Sequence, residues 1–530
     1  MRDHLVAVDV GTASARAGLF DRSGRLLARA VHPVTLIRSG ADLAEHDSDD
    51  IWQAVVASVR AAVSEAGIDR QRIAAIGFDG TCSLVFTGSG GQRLSVARNG
   101  APGLDTICWM DHRAIAEAEE LSAAGDAALN LRGRCLSPEM ALPKLLWVKR
   151  HRPDVWNGAG AIFDLADFLT FRATGSNRRS RSTLSAKWAY RQGAGPDPWP
   201  TPLLKTVGLH DLAERAGITG DALLPGAPLA PLSASAAAEL DLDTGCVVAS
   251  GMVDAFAGTL ALLGRYGDNR GALERNAALV AGTSTCIIRL SAPDSPPLPG
   301  FWGPYGDVCL PDHALTEGGQ SAAGGLLDHV VTMHAAGGKP TAELHRRIVE
   351  QIERELQLHG ADYGQPIDVY PDFLGNRSPL ADPRPGGLVA GLSLDSSFEG
   401  LCKLYWRTAV GLACGLRQVL DAYRTEAGFK PDTLHIGGGH GLNSLLVRLY
   451  ADVTGKRIAV PALNESMLLG SAINAATAAG LYPDLVTAAS AMSGPGSIIE
   501  PDPERHAAFG KDYARHRLMA RHMAELRSLY

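Results

Sequence analysis

Leu5-Val-Ala-Val-Asp-Val-Gly-Thr-Ala-Ser-Ala-Arg-Ala-Gly-Leu-Phe20 reads as a strand, a glycine turn and a second strand. The turn carries one carboxylate, Asp9, followed by Gly11 and the hydroxyls of Thr12 and Ser14. Gly11 has no Cβ, so the backbone can come close to a ligand, and consecutive turn N–H groups form a concavity suited to phosphate. Asp9 adds an oxygen ligand for hydrated magnesium. The device recurs as Leu279-Val-Ala-Gly-Thr-Ser-Thr-Cys-Ile-Ile288. Two copies in one chain predict two similar domains gripping a polyphosphate between them.

Outward from that turn, strands are predicted over 4–10, 15–20 and 25–31, the last two joined by Asp21-Arg-Ser-Gly24. Ile51, Val55, Val59 and Val63 recur at helical spacing and predict a helix over 48–67. Strands at 73–78 and 83–87 flank Asp79-Gly80-Thr81-Cys82, and an alanine-rich helix over 111–124 is opened by Asp111. Hairpins followed by strand–helix alternation indicate a mixed-sheet α/β domain. Residues 191–232, rich in Gly and Pro, read as long loops or an insertion. Val247-Val-Ala-Ser-Gly251 is a short buried strand leading into a helix that starts within Met252–Gly258, and the domain boundary falls around 258–275. The second half repeats the order, with long helices near 340–358 and 397–424. A strand at 432–436 then runs into Gly437-Gly-Gly-His-Gly441 and a helix over 443–454. The last thirty residues read as an exposed terminal helix.

A chain of 530 residues exceeds one ordinary core. Its 46% hydrophobic and 20% charged residues are those of a globular protein, and a net charge of −7 argues against nonspecific nucleic-acid binding. The eight cysteines are scattered without C-x-x-C spacing, as reduced thiols in a cytosolic protein are. There is neither a signal-peptide pattern nor an apolar run of about 18 residues, so the expected address is the cytoplasm, with no membrane partner.

Several residues carry chemistry. Asp254 precedes an apolar helix, where a carboxylate caps the helix or serves as a general base for a hydroxyl attacking phosphorus. Three glycines between a strand and a helix, Gly437 to Gly439, suit close approach by a nucleotide. The dinucleotide fingerprint fails at Leu442, and no G-x-x-x-x-G-K-[ST] occurs. Trp109-Met-Asp111 sets an aromatic face two residues from a carboxylate, a way to bind sugars that is also the start of an ordinary helix. Thr81-Cys82-Ser83 offers small polar groups for that pocket or simply polar positions in a strand pair. No Cys/His cluster has zinc spacing, and no G-x-S-x-G elbow is present.

Together these segments resemble the FGGY family of carbohydrate kinases, of the actin/hexokinase superfamily, from about residue 4 to about 485. The resemblance rests on Asp9-Val-Gly-Thr-Ala-Ser14, Trp109-Met-Asp-His-Arg113, Pro143-Lys-Leu-Leu-Trp147, Gly251-Met-Val-Asp-Ala-Phe-Ala-Gly258, Gly282-Thr-Ser284, Glu317-Gly-Gly-Gln320 and Gly437-Gly-Gly-His-Gly-Leu-Asn443, in the family's order. It implies two ribonuclease-H-like domains with a cleft between them. These are an N-terminal one (1–262), mainly for sugar and the first phosphate motif, a C-terminal one (263–490), mainly for ATP, and a helical extension (491–530). By position it implies Asp254 as catalytic base and Asp9 as the magnesium-linked carboxylate. Gly11, Thr12, Ser14, Gly282, Thr283, Ser284, Gly324, Gly438, Gly439 and Asn443 would face ATP, and Trp109 and Asp111 the sugar. One place departs from the family: Ala141 stands where a Ser or Thr commonly precedes the lysine of the Lys144 signature, which touches only the shape of that loop. Members are often homodimers.

Gly80-Thr-Cys-Ser-Leu-Val85 resembles the corresponding string of the D-ribulokinase branch, as does Ser137-Pro-Glu-Met140. Thr81, Cys82 and Glu139 are therefore expected at the sugar, and D-ribulose is the expected acceptor. Ribitol, L-ribulose and xylulose are the alternatives within the family. An actin-like or chaperone-type ATPase is the alternative outside it.

Overall fold

The computed structural model describes residues 2–40, 42–126, 135–191, 197–384 and 386–529. The opening hairpin pairs His4–Val10 with Ser14–Asp21 antiparallel, and Leu26–Pro33 adds on the outer side. Ile73–Gly80 joins the inner side of His4–Val10 in parallel, followed by Val247–Ala249 and then Pro228–Pro231 at the edge. Every residue of His4–Val10 is buried, which is why its Leu-Val-Ala-Val run does not alternate with polar residues.

The second half repeats this plan. Asn276–Ala281 pairs antiparallel with Thr285–Ser291, which pairs with Ala314–Gln320 and then Trp302–Gly306. Thr433–Gly437 and Arg457–Val460 continue the sheet in parallel on the other side, and Ser497–Ile499 closes it. Both turns are closed by the glycine N–H, the second one residue more tightly. Gly11 N–H donates to Ser14 O at 3.0 Å, and Gly282 N–H to Ser284 O at 2.9 Å. These are the two ribonuclease-H-like halves that the hairpins foretell.

Two helices lie between the sheets, Asp254–Leu263 and Ser466–Ala478. They touch through small residues: a Cβ on Gly470 would sit 1.8 Å from the carbonyl oxygen of Ala257. Ser466–Ala478 belongs to the second half of the chain yet packs on the first sheet. Ser471 Oγ donates to Asp79 Oδ2 at 2.6 Å, and Asn474 Nδ2 to Ser250 O at 2.7 Å. Beside the first sheet, a five-stranded sheet (Ile37–Ser39, Leu43–His46, Thr106–Ile107, Leu84–Gly88 and Ala159–Asp164) supports the Trp109 loop.

Three sequence expectations change. The helix expected over 111–124 runs Ile115–Ala123, and Asp111 does not open it, because its carboxylate turns inward to Arg113. The stretch 191–232 contains short helices at Thr201–Thr206 and Leu212–Arg215, while residues 192–196 lie outside the described ones. The terminal helix Pro503–Arg527 is docked rather than free. It buries Phe509, Asp512, His516 and Met519, and Asp512 pairs with the buried Arg407. All eight cysteines are free, and no described helix is long and apolar enough to cross a membrane.

Candidate active site

The cleft between the halves is walled by both glycine turns. Asp9, Gly11, Thr12, Ser14, Gly282, Thr283, Ser284, Gly438 and Gly439 all line it. Its volume is about 260 Å³. Gly438 has φ +89°, and a Cβ there would stand 2.5 Å from Ala281 O, so this position needs glycine on two counts. A Cβ on Gly439 or Gly282 would meet only open space.

Gly324 and Asn443 sit behind these loops. Gly324 N–H donates to Gly282 O at 2.9 Å, and a Cβ there would come within 3.1 Å of His440 Nε2. Asn443 caps the helix Ser444–Thr454, its Oδ1 accepting from Leu445 and Leu446 N–H at 3.1 and 3.2 Å. Both residues shape the nucleotide loops from outside the cleft lining.

Asp9 lies at the end of its strand, with its carboxylate buried. Its Oδ2 has no hydrogen-bond partner. Arg16 Nη1 stands 3.2 Å away, within ion-pair reach but off hydrogen-bonding geometry. A buried, unsatisfied carboxylate oxygen beside a phosphate-type turn fits a hydrated magnesium shared with phosphates. Asp79 faces Asp9 in the parallel register. Burial, reinforced by the charge of Asp9, holds the Asp79 carboxyl well above the usual carboxylate range. Among the described residues no group of three or more His, Cys, Asp or Glu could hold a metal ion.

Asp254 is the first residue of its helix, and Val253 occupies the cap position. Its Oδ1 accepts only the adjacent Ala255 N–H, at 2.7 Å. Burial first, and then the nearby Asp9, push its pKa up to about 7. That is the range in which a carboxylate exchanges protons effectively near neutrality. Asp254 also lines the cleft, so its carboxylate both holds a first-turn N–H of its helix and faces the pocket.

Trp109 presents its ring to the cleft, and its indole Nε1 donates to Thr12 Oγ1 at 2.9 Å. Asp111 does not join it. Its oxygens accept from Ala44 N–H at 2.7 Å and from Arg113 Nε and Nη2 at 2.7 and 2.8 Å, in a site closed to solvent. The expectation that Asp111 contacts sugar is corrected: it folds the Trp109 loop. Lys144 does the same work, donating to the Cys108 and Trp109 carbonyls at 2.9 and 2.6 Å. Burial lowers its pKa to about 8.

Thr81, Cys82 and Glu139 line the cleft. Thr81 Oγ1 lies 3.0 Å from Ser83 Oγ. Glu139 is engaged across the cleft, with Oε1 accepting from Ser321 Oγ and Oε2 from Arg377 Nη2, both at 2.8 Å. Lys187, Cys286, Trp302, Glu317 and Arg377 line the cleft as well. Sequence reading assigned none of these a role, although Glu317 stands in a quoted landmark. Lys187 Nζ rests 4.2 Å from the centre of the Trp302 ring. Burial alone would lower its pKa, but Cys82, Glu317 and other acidic groups around it raise it more, so the ammonium is retained. The arrangement joins two phosphate turns, a poised carboxylate and an aromatic chamber edged with polar groups.

Residues 4–190 match the N-terminal domain of the FGGY family of carbohydrate kinases, and residues 277–479 match its C-terminal domain. The chain belongs to the FGGY family of carbohydrate kinases. An FGGY carbohydrate kinase domain-containing protein of Danio rerio is 38% identical over 99% of both chains. A D-ribulokinase of Saccharomyces cerevisiae is 34% identical, covering 89% of this chain and 71% of its own. A xylulose kinase of Lactobacillus acidophilus has the same fold, with a TM-score of 0.77 at 20% identity over 98% of each chain. As an FGGY kinase, this protein is an ATP-dependent phosphotransferase acting on a sugar, consistent with a pentulose kinase.

Proposed function

We propose that this FGGY kinase transfers the γ-phosphoryl group of ATP to the terminal hydroxyl of D-ribulose, giving D-ribulose 5-phosphate and ADP. The observation that carries the choice of sugar is the 34% identity to a D-ribulokinase across most of the chain, together with Thr81 and Cys82 in the cleft wall. In this reading the sugar lies against Trp109 and the nucleotide runs from the two Gly-Thr turns towards Gly438 and Gly439. Residues 1–262 then serve mainly the sugar, 263–490 mainly ATP, and 491–530 form the docked extension.

The chemistry follows from the placement of groups. The acceptor oxygen attacks the γ-phosphorus in line as the bond to the β,γ-bridging oxygen breaks, and Asp254 takes the hydroxyl proton. Its elevated pKa, from burial and then Asp9, makes it a competent base near neutrality. The Gly11 and Gly282 N–H groups close their own turns, which leaves the N–H groups of Thr12 and Thr283 to stabilise charge gathering on the transferred group. Asp9 would hold magnesium, which when bound neutralises phosphate charge. Approach of the halves excludes water as a competing acceptor. The eight free thiols support a cytoplasmic address.

The deciding experiment is ADP release from ATP with D-ribulose, L-ribulose, xylulose and ribitol, and without sugar. D-ribulose should give the highest kcat/KM. A higher value for another sugar would replace it as the substrate. Equal ATP turnover with and without sugars would end the kinase mechanism.

A further inference from the structure

Arg377 lies at the sugar end of the cleft with its side chain 4% exposed. One arm of its guanidinium reaches across to the first half, Nη2 donating to Glu139 Oε2 at 2.8 Å. The other arm stays in the second half, Nη1 donating to Cys286 Sγ at 3.1 Å and to Glu317 Oε1 at 3.3 Å. Its plane lies 4.7 Å from the Trp302 ring centre and 6.0 Å from that of Trp109. The arginine is thus built into the chamber wall between the two carboxylates.

Around Arg377 two cations meet two carboxylates, and the cleft as a whole also holds Asp9, Asp254 and Arg16. Lys187 and Arg377 stand against Glu139 and Glu317, all four in the cleft lining. His112 Nε2 lies 3.8 Å from Glu139 without a hydrogen-bond partner. An uncharged polyol can exchange water for protein hydrogen bonds there at little electrostatic cost. An acceptor carboxylate would meet an Arg377 already committed to two carboxylates, and a buried charge without its own partner is costly.

We propose that Arg377 determines the charge class of the acceptor. By engaging Glu139 with one arm and Glu317 with the other, it leaves no cation of its own free for an incoming anion, so the chamber is open to an uncharged polyhydroxy chain and closed to a sugar acid. It is a positioning residue, acting through the two carboxylates. The proposal rests on the pentulose reading above.

The test measures kcat/KM for D-ribulose and for D-ribonate in the parent, Glu139→Gln and Arg377→Lys, with the inhibition constant of D-ribonate against D-ribulose as a second readout. Glu139→Gln removes one negative charge yet keeps an oxygen for Ser321. Its ribulose-to-ribonate preference should fall on the order of tenfold, and its ribonate inhibition should tighten in parallel. Arg377→Lys keeps the charge sum but not the fork. Its kcat/KM should drop for both acceptors, with the ratio changed less than roughly threefold. Both acceptors are measured on one preparation, so loss of folded protein cancels from the ratio. If Glu139→Gln does not fold, Glu317→Gln removes the same charge from the other arm. A parent that phosphorylates D-ribulose while the Gln variant retains the parent ratio and inhibition overturns the proposal, as does a ratio in Arg377→Lys that falls as far as in the Gln variant. A parent inactive on every pentulose and pentitol overturns the substrate reading instead.

Discussion

Trp109 and Thr12 are joined directly: the indole N–H donates to the threonine hydroxyl across 2.9 Å. The aromatic wall of the cleft and the first Gly-Thr turn are therefore one mechanical unit. Trp109→Phe keeps a ring but frees the hydroxyl. It should lower kcat roughly three- to tenfold, the size of one lost hydrogen bond, with a smaller effect on acceptor KM. Trp109→Ala should raise acceptor KM by more than the Phe variant does. Steady-state kinetics with both substrates varied separates the two effects, and identical kinetics for Phe and the parent would show that the bond is idle.

Asp254→Asn should reduce kcat by roughly 10²–10⁴ while ADP affinity, measured by calorimetry, stays near the parent value. In the parent, kcat/KM for the acceptor should rise with pH through about 7 as the carboxylate loses its proton. Stability should run the other way. The folded pKa lies above the ordinary carboxylate value of 3.8, so the native state binds the extra proton between those values, and stability falls as pH climbs through that window. The Asn variant should therefore melt higher than the parent at pH 8, with the gap closing towards pH 4.

Gly438 and Gly439 should separate steric from ligand effects. Gly438→Ala forces a Cβ against Ala281 O at positive φ, so its Tm should fall. Gly439→Ala adds a methyl in open cleft space, leaving Tm unchanged and raising KM for ATP. Unaltered ATP kinetics in Gly439→Ala would move the nucleotide away from this loop.

The terminal helix is held by ions as well as by Phe509. Buried Arg407 donates Nε to Ile367 O at 2.6 Å and Nη2 to Asp368 at 2.7 Å, and it also pairs with Asp512. Arg407→Met leaves Asp368 and Asp512 to Arg515 alone and should cost about 1–3 kcal/mol in chemical unfolding. Removing residues 503–530 should likewise lower Tm, with acceptor KM unchanged because the helix lies outside the cleft lining.

Short-range order was legible in the chain. Asp9-Val-Gly-Thr12 and Gly282-Thr-Ser284 announced two hairpins because a turn between apolar runs is specified by adjacent residues. Gly437-Gly-Gly439 likewise marked a strand-to-helix passage where a side chain at Gly438 would collide with Ala281. Longer-range chemistry was not legible in this way. The spacing Trp109-x-Asp111 is the same whether the carboxylate faces a ligand or an arginine, and only packing against Ala44 and Arg113 turned it inward. Glu139 and Arg377 are 238 residues apart and meet only when the two sheets come together. A charged side chain's role depends on the partner that neutralises it, and for Glu139 and Arg377 the tertiary structure supplies that partner from distant segments of the chain.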